Sequence, residues 1–407
     1  MTGNHRCSIV PGYLLRQLAQ HEPDLAPAID FALRDAHVLR TRRELRGTRW
    51  PQGRPPTPRP ADLAGPPAPG PDDPPLPPGT IHGIVGPPLT KDVSILDQPV
   101  VQPGLAPATE VPVDATPQRS LHDAQHGVSL PGVQVRGEGN PPSPDVSVNE
   151  AFDGLGATWD VLARVFGRDS LDGHGLPLIA SVHYARDYDN AFWDGQQMVF
   201  GDGDGIYFAG FTRSVDVIAH ELAHGLTQFT AGLTYVGQPG ALNESVSDVW
   251  GSIVRQWVRG ESAEQADWLI GAEVFTDRVH GVALRSMAAP GTAYDDPRLG
   301  KDPQPAHLAD YVDLPHDADN DNGGVHVNSG IPNKAFHLFA TALGGHTWER
   351  AGQVWWDTMS TRGLIARDVD FATFAAATLQ AATTRYGEDS EVPRALRSAW
   401  GGVGIDL

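Results

Sequence analysis

The sequence is poor in cysteine, in basic residues relative to acidic ones, and in long apolar runs. Its one thiol, Cys7, excludes an intramolecular disulfide, so packing or a bound metal must hold the fold. Thirty Lys and Arg stand against 50 Asp and Glu, a formal charge of -20 that repels a polyphosphate, so no nucleic-acid partner is expected. No apolar stretch reaches bilayer-spanning length, so no membrane partner is expected either. Residues 1–8 lack the charged start and continuous apolar core of a secretory signal. The expectation is a soluble protein, cytoplasmic or carried to the extracellular space by a non-classical route.

What the chain does have is glycine and proline, 45 and 36 in 407 residues, which implies much loop or linker alongside a core large enough for an enzyme. Residues 51–118 hold 20 of the 36 prolines, too many missing amide donors for a sheet or helix, and read as a linker. Residues 1–50 carry eight Arg against five acidic residues, a basic arm with an acidic body to dock on. From residue 119 the composition is globular. A helix is expected over 148–166, a strand over 178–184, and a helix running from a Ser214 cap toward Phe229 and stopped by Gly232. Further helices are expected over 244–259, 332–343, 350–362, 370–386 and 392–400. The architecture is mixed strands and helices first and mostly helices afterward, divided at residues 119–232 and 233–407.

The chemistry centres on His220-Glu221-Leu222-Ala223-His224 within an apolar helix. Residues i and i+4 project from one face, close enough for two imidazoles to share a metal, and Glu221 stands beside them for a bound water. A catalytic zinc takes three protein ligands and keeps a position for water. Glu244 supplies the third, at the start of the next helix, with Asp248 one turn later to accept the other ring N–H of His220 and Asn243 to orient His224. The bland alternative is a core histidine pair near a solvated acidic face.

These segments, with Tyr188-Asp189-Asn190-Ala191-Phe192-Trp193-Asp194-Gly195, Gly201-Asp202-Gly203-Asp204-Gly205, Leu284-Arg285-Ser286-Met287 and Asp321-Asn322-Gly323-Gly324-Val325-His326-Val327-Asn328, resemble the thermolysin family of zinc peptidases, in its protealysin-like branch, over residues 119–407. A metzincin would need a histidine where Thr230 stands. The resemblance implies a two-domain α+β zincin and a neutral endopeptidase made as a zymogen. In it Zn2+ acidifies water, Glu221 is the general base, His326 and Tyr235 face the oxyanion, and Asp321 orients His326. Asn190 and Ala191 would pair with the extended backbone of a peptide or protein substrate, and Arg285 would hold a substrate carbonyl. Phe208, Phe211, Val217, Ile270, Val274 and Leu284 would line an apolar pocket selecting bulky hydrophobic P1′ residues.

The same resemblance brings a double Ca2+ site drawn from the segments around residues 216, 255 and 267–273. Asp216 and Asp267 are present, but Arg255, Leu269 and Ala272 replace carboxylates, so the double site is expected to be incomplete. Asp202 and Asp204 are read as shaping a turn. Residues 1–50 resemble a short propeptide, an intramolecular inhibitor in which Pro11-Gly12-Tyr13-Leu14-Leu15 departs from the branch's pattern at Gly12. Cys7 is either an ordinary thiol or a ligand closing the zinc's open position in the latent form. Cleavage within residues 115–120 would release the mature enzyme. Two other readings share parts of this pattern. A binding module on an inactive scaffold would need a missing chemical role. An exopeptidase or single-target enzyme would differ in access to the cleft.

Overall fold

The computed structural model describes residues 8–34, 111–112 and 115–407, so Cys7 and most of the proline-rich stretch at 51–118 lie outside the described residues. The chain after residue 118 begins with a five-stranded sheet: β1 (Arg119–Asp123), β2 (Val133–Gly137), β3 (Leu178–Val182), β4 (Ala191–Trp193) and β5 (Met198–Phe200), in the order β2-β1-β3-β5-β4. β3 runs parallel to β1 and β5, whereas β2 and β4 pair antiparallel at the two edges. β4 and β5 are buried at every residue, as expected where both sheet faces are covered. Asp194 makes their tight turn, its Oδ1 accepting from the amides of Gln196 and Gln197 at 2.8 and 2.9 Å.

Helix α3 (Val146–Asp160) is capped by Asp145, which accepts from the Ser147 amide at 2.9 Å, and runs into a π-turn over Val161–Val165. Helix α4 (Val215–Gln228) is buried on all sides from Asp216 to Thr227, as a helix apolar around most of its circumference must be. Ser214 stands at its N-cap, with its carbonyl accepting from the Ile218 amide at 3.2 Å, but its side chain makes no capping bond. Its hydroxyl engages Asp216 and Glu273 instead.

Helix α5 (Gly237–Arg259) begins seven residues before the expected start at 244 and ends as expected, at Gly260 with φ 63°. Gly237, Pro239 and Gly240 hide the early turns from any apolar periodicity, yet a proline in the first turn costs no helix hydrogen bond. Glu244 therefore sits well inside the helix rather than at its start. Short ladders follow, β6 (Leu269–Ile270) with β7 (Arg285–Ser286) and β8 (Asp295–Asp296) with β9 (Gly300–Lys301). The remaining helices are α6 (Asp321–Asn328), α7 (Gly330–Leu343), α8 (Ala351–Ser360), α9 (Phe371–Tyr386) and α10 (Glu391–Gly401), the last four within one or two residues of expectation. Trp355 ties the helical half together, with ring centroids 4.9 Å from Phe336, 5.9 Å from Phe339 and 6.1 Å from Trp400. The fold is α+β, a sheet-bearing N-terminal part followed by a helical C-terminal part.

The N-terminal arm packs on this body. An extended stretch leads into α1 (Gly12–His21), and α2 begins at residue 26 and is described as far as 34. Ile9, Val10, Leu14, Leu15 and Leu18 are all at most 2% exposed, and burying each such side chain contributes roughly 1.5–3 kcal/mol before entropic costs.

Candidate metal centre and substrate cleft

Helices α4 and α5 pack face to face, which brings His220 and His224 against Asn243, Glu244, Ser247 and Asp248. Nδ1 of His220 donates to Asp248 at 2.8 Å, and Nδ1 of His224 to Oδ1 of Asn243 at 2.9 Å. Asn243 is held in that sense because its Nδ2 donates to the Leu233 carbonyl at 3.2 Å. Both Nε2 atoms then carry lone pairs, and they face each other 3.1 Å apart. Glu244 adds its carboxylate 3.5 Å from each, and all three side chains are buried. Lone pairs so close repel unless a cation lies between them, and a buried Glu244 Oε2 without a hydrogen-bond donor calls for the same thing. The donor set, two neutral imidazoles and a carboxylate with their outer atoms already engaged, suits Zn2+.

The acidic surroundings favour positive charge at this point, as a proton on His220 or as a metal ion that displaces that proton. Burial alone would lower the pKa of His220, but Asp248 and Glu244 outweigh it and raise it to about 9. Burial would raise Glu244, yet His326, His224 and His220 hold it well below the ordinary carboxylate range. Asp248 is likewise held low, by Arg285 and His220.

Glu221 follows His220 on the same helix and is fully buried, its Oε2 accepting from the Trp193 amide of edge strand β4 at 3.0 Å. On the other side, Asp321, Asn322, Gly323 and Gly324 all take positive φ, from 51° to 87°, in a left-handed turn. A Cβ on Gly323 would lie 2.7 Å from His316 and 3.1 Å from the Gly237 amide, so only glycine fits there. The turn lets Asp321 hold both the backbone of His326 (2.8 Å) and its Nδ1 (2.6 Å). Burial lowers the His326 pKa less than Glu244 and Asp321 raise it, and it stands at about 9. The Tyr235 hydroxyl donates to Glu244 and lies 3.3 Å from Nε2 of His326.

Of the expected substrate contacts, Asn190 and Ala191 lie just before and at the start of edge strand β4, and the arm occupies them. The Val10 amide donates to Asn190 Oδ1 and Asn190 Nδ2 to the Val10 carbonyl, both at 3.0 Å, and the Ile9 amide donates to the Ala191 carbonyl at 3.3 Å. Arg285 donates to the Ile9 carbonyl at 3.0 Å. It also grips Asp248 with two nitrogens at 2.8 Å each, a role not expected from its position in the sequence. Phe208, Phe211, Val217, Ile270, Val274 and Leu284 are buried in the same apolar cluster as Ile9 and Val10. Residues not foreseen include Trp193, whose backbone holds Glu221, Ser247 beside His224, and Asn333, which donates to Asp248 at 2.8 Å. Asn333 left one legible sign, a polar residue on the buried face of α7.

In the expected calcium region, Arg255 is 5% exposed and meets Asp216 at 3.2 Å, Asp267 at 2.9 Å, Glu273 at 3.3 Å and the Leu269 carbonyl at 2.9 Å. Asp204 shapes its turn by accepting from the amides of Ile206, Tyr207 and Phe208, and Asp202 accepts from His183.

Two imidazoles and a carboxylate around one buried point, a further glutamate beside them and an edge strand along the cleft define a zinc metallopeptidase. Residues 137–228 match the thermolysin metallopeptidase catalytic domain and residues 231–405 its alpha-helical domain, and the chain belongs to that family. It is 54% identical over 289 residues to an extracellular metalloprotease of Pectobacterium carotovorum, covering 71% of this chain and 81% of the relative. It is 50% identical to protease PrtS of a Photorhabdus species over 72% of this chain and 78% of that one. The precursor of protealysin, a metalloproteinase from Serratia proteamaculans, superposes with a TM-score of 0.69 at 52% identity, over 73% of this chain and 90% of that one. The protein is accordingly a zinc metalloendopeptidase of protealysin-like type with a propeptide. Among the described residues no helix is long and apolar enough to cross a membrane.

Proposed function

We propose that this chain is the latent precursor of a neutral endopeptidase that cuts before bulky hydrophobic residues, with residues 1–50 as propeptide, 51–118 as linker and 119–232 and 233–407 as the halves of the catalytic body. The observation that carries the reading is the arm's backbone in the cleft, hydrogen-bonded to Asn190, Ala191 and Arg285 beside Glu221 and His326. An extended peptide added to a sheet edge is how a protease holds its substrate, and a segment of the same chain in that place excludes one.

His220, His224 and Glu244 would hold zinc, which when bound supplies the Lewis acidity that polarises a carbonyl and acidifies water. Glu221, aimed by the Trp193 amide, takes a proton from the attacking water and returns it to the leaving amine. His326, backed by Asp321, donates to the developing oxyanion, and Tyr235 does the same once its hydroxyl leaves Glu244. Phe208, Phe211, Val217, Ile270, Val274 and Leu284 supply the apolar P1′ pocket. The Arg255 guanidinium replaces the cation of the double Ca2+ site, neutralising the carboxylates that would have bound it. Activation cuts between residues 115 and 118, since Arg119 and Ser120 already belong to β1. The mature enzyme acts outside the cell, as its relative from Pectobacterium carotovorum is named to do.

A series of quenched peptides differing only at P1′, given to processed enzyme with and without added zinc, tests this. Leu and Phe should be cut in preference to Asp by roughly the 10–200-fold that one hydrophobic pocket can supply, and Glu221→Ala should be inert. Equal rates across the series, or a Glu221→Ala enzyme as fast as wild type, would exclude it.

A further inference from the structure

The arm crosses the cleft in one register, and that register brackets a single peptide bond. Ser8 pairs antiparallel with Phe192 of β4. On the C-terminal side of the Ser8–Ile9 bond, the Ile9 amide is held by Ala191, the Ile9 carbonyl by Arg285, and both backbone groups of Val10 by Asn190. On the N-terminal side, the Ser8 carbonyl accepts from Nε2 of His326 at 3.0 Å. That nitrogen lies 3.5 Å from Glu244 and 3.3 Å from the Tyr235 hydroxyl, so the Ser8 carbonyl is the one presented to the metal ligands and the oxyanion donors. Glu221 hangs from Trp193, the residue after Ser8's strand partner. Ile9 is fully buried, Pro11 is the third residue beyond Ser8, and α1 starts only at Gly12, so the extended run ends just past the residues that the cleft grips. Nothing in this backbone turns the Ser8–Ile9 bond away from the groups that would break it.

We propose that Ser8–Ile9 is a substrate bond, cut in cis by the zinc-loaded precursor, and that the rest of the arm stays bound as product. The proposal rests on the peptidase reading above. Water adds to the Ser8 carbonyl carbon, the Ser8–Ile9 C–N bond breaks, and both of the water's protons end on the Ile9 nitrogen, the first carried by Glu221 and the second given up by the new Ser8 carboxyl group. The products are a Ser8 carboxylate on a released octapeptide and an Ile9 ammonium that remains in the cleft. Product release is opposed by the rest of the arm: Leu14, Leu15 and Leu18 stay buried, and Glu22 holds the Tyr207 hydroxyl at 2.5 Å and Arg298 at 2.9 Å. Latency thus outlasts the cut, and Cys7 departs with the octapeptide, so it cannot depend on that thiol afterward.

The test follows the intact mass of full-length, zinc-free precursor after zinc is added, across a broad dilution series, with processed enzyme assayed in parallel on an external peptide. Wild type should lose residues 1–8 at a rate independent of concentration, Glu221→Gln should stay whole, and Ile9→Asp should slow the cut by about tenfold or more. In zinc-free Glu221→Gln precursor, the Ile9 and Val10 amides should exchange hydrogen about tenfold more slowly than the corresponding amides of the Ile9→Asp chain, a readout independent of turnover. A precursor that keeps Ser8–Ile9 intact while processed enzyme cuts the external peptide overturns the self-cleavage and leaves the peptidase reading standing. Concentration-dependent trimming, trimming of Glu221→Gln, or unprotected Ile9 and Val10 amides also overturns it. Processed enzyme that is inert sinks both.

Discussion

Asp248 answers to three partners at once, His220, Arg285 and Asn333. Its charge fixes the orientation of the His220 ring and lets Arg285 be buried. Asp248→Asn should therefore weaken zinc affinity by about 10–100-fold in chelator competition, with substrate binding impaired as well because Arg285 loses its anchor. An unchanged affinity would mean that shape alone orients His220. His183 offers a pH-dependent counterpart away from the metal. Its Nδ1 meets Asp202 at 2.8 Å and its Nε2 Asp145 at 2.7 Å, with His126 beside them, and hydrogen bonding to Asp202 leads the causes that raise its pKa from 6.5 to about 9. A raised histidine pKa stabilises the fold fully below about 6.5 and loses that contribution as pH climbs through about 9. Denaturant midpoints of wild type should fall across that window, and those of His183→Gln should fall less.

At the scale of elements, the start of α4 is held by charge. Asp216 is wholly buried and Arg255 of α5 neutralises it, while the Gly271 amide donates to it at 3.0 Å. Burial pushes the Asp216 pKa up and Arg255 pulls it down, so the carboxylate depends on its partner. Arg255→Leu should cost about 3–5 kcal/mol in urea unfolding, the usual result of stranding one member of a buried pair. Wild-type stability should not respond to calcium or to a calcium-selective chelator, and a large response would contradict the assignment of Arg255. The left-handed turn before His326 is the other vulnerable element. Gly323→Ala adds a methyl at φ 87° with no room for it, a strain of about 1–3 kcal/mol that should displace His326 and lower kcat more than it raises KM.

For the molecule as a whole, the arm closes the cleft with two unlike contacts, an extended backbone over the site and an apolar helix beside it. Removing the second should loosen the first. Leu14→Ala or Leu18→Ala should each weaken docking by about 2–5 kcal/mol, and precursor carrying Glu221 should then hydrolyse external peptide before its linker is cut. A mutant precursor as silent as wild type would show that the backbone contacts hold the arm unaided.

The residues of the metal centre were legible because their chemistry is local: i and i+4 imidazoles on one helix and a carboxylate with its own i+4 acid on the next need only helical geometry to share a face. The later helices were legible by apolar period, and the structure adds caps such as Asp370, which accepts from the Thr373 amide. The true start of α5 was not, because glycine and proline erased the period, and neither was the turning of the Ser214 hydroxyl away from the helix it begins, since its partner Glu273 is distant in sequence. Sequence alone thus picked out His220, His224 and Glu244, which the structure gathers around one buried point, and the spans of the later helices. Only the tertiary structure decided that Arg285 serves Asp248 as well as the arm, that Arg255 stands among the acids near Asp216, and that Ser8–Ile9 is the bond lying over the site. Each of these depends on atoms brought together from separate elements, and no spacing along the chain encodes such a meeting.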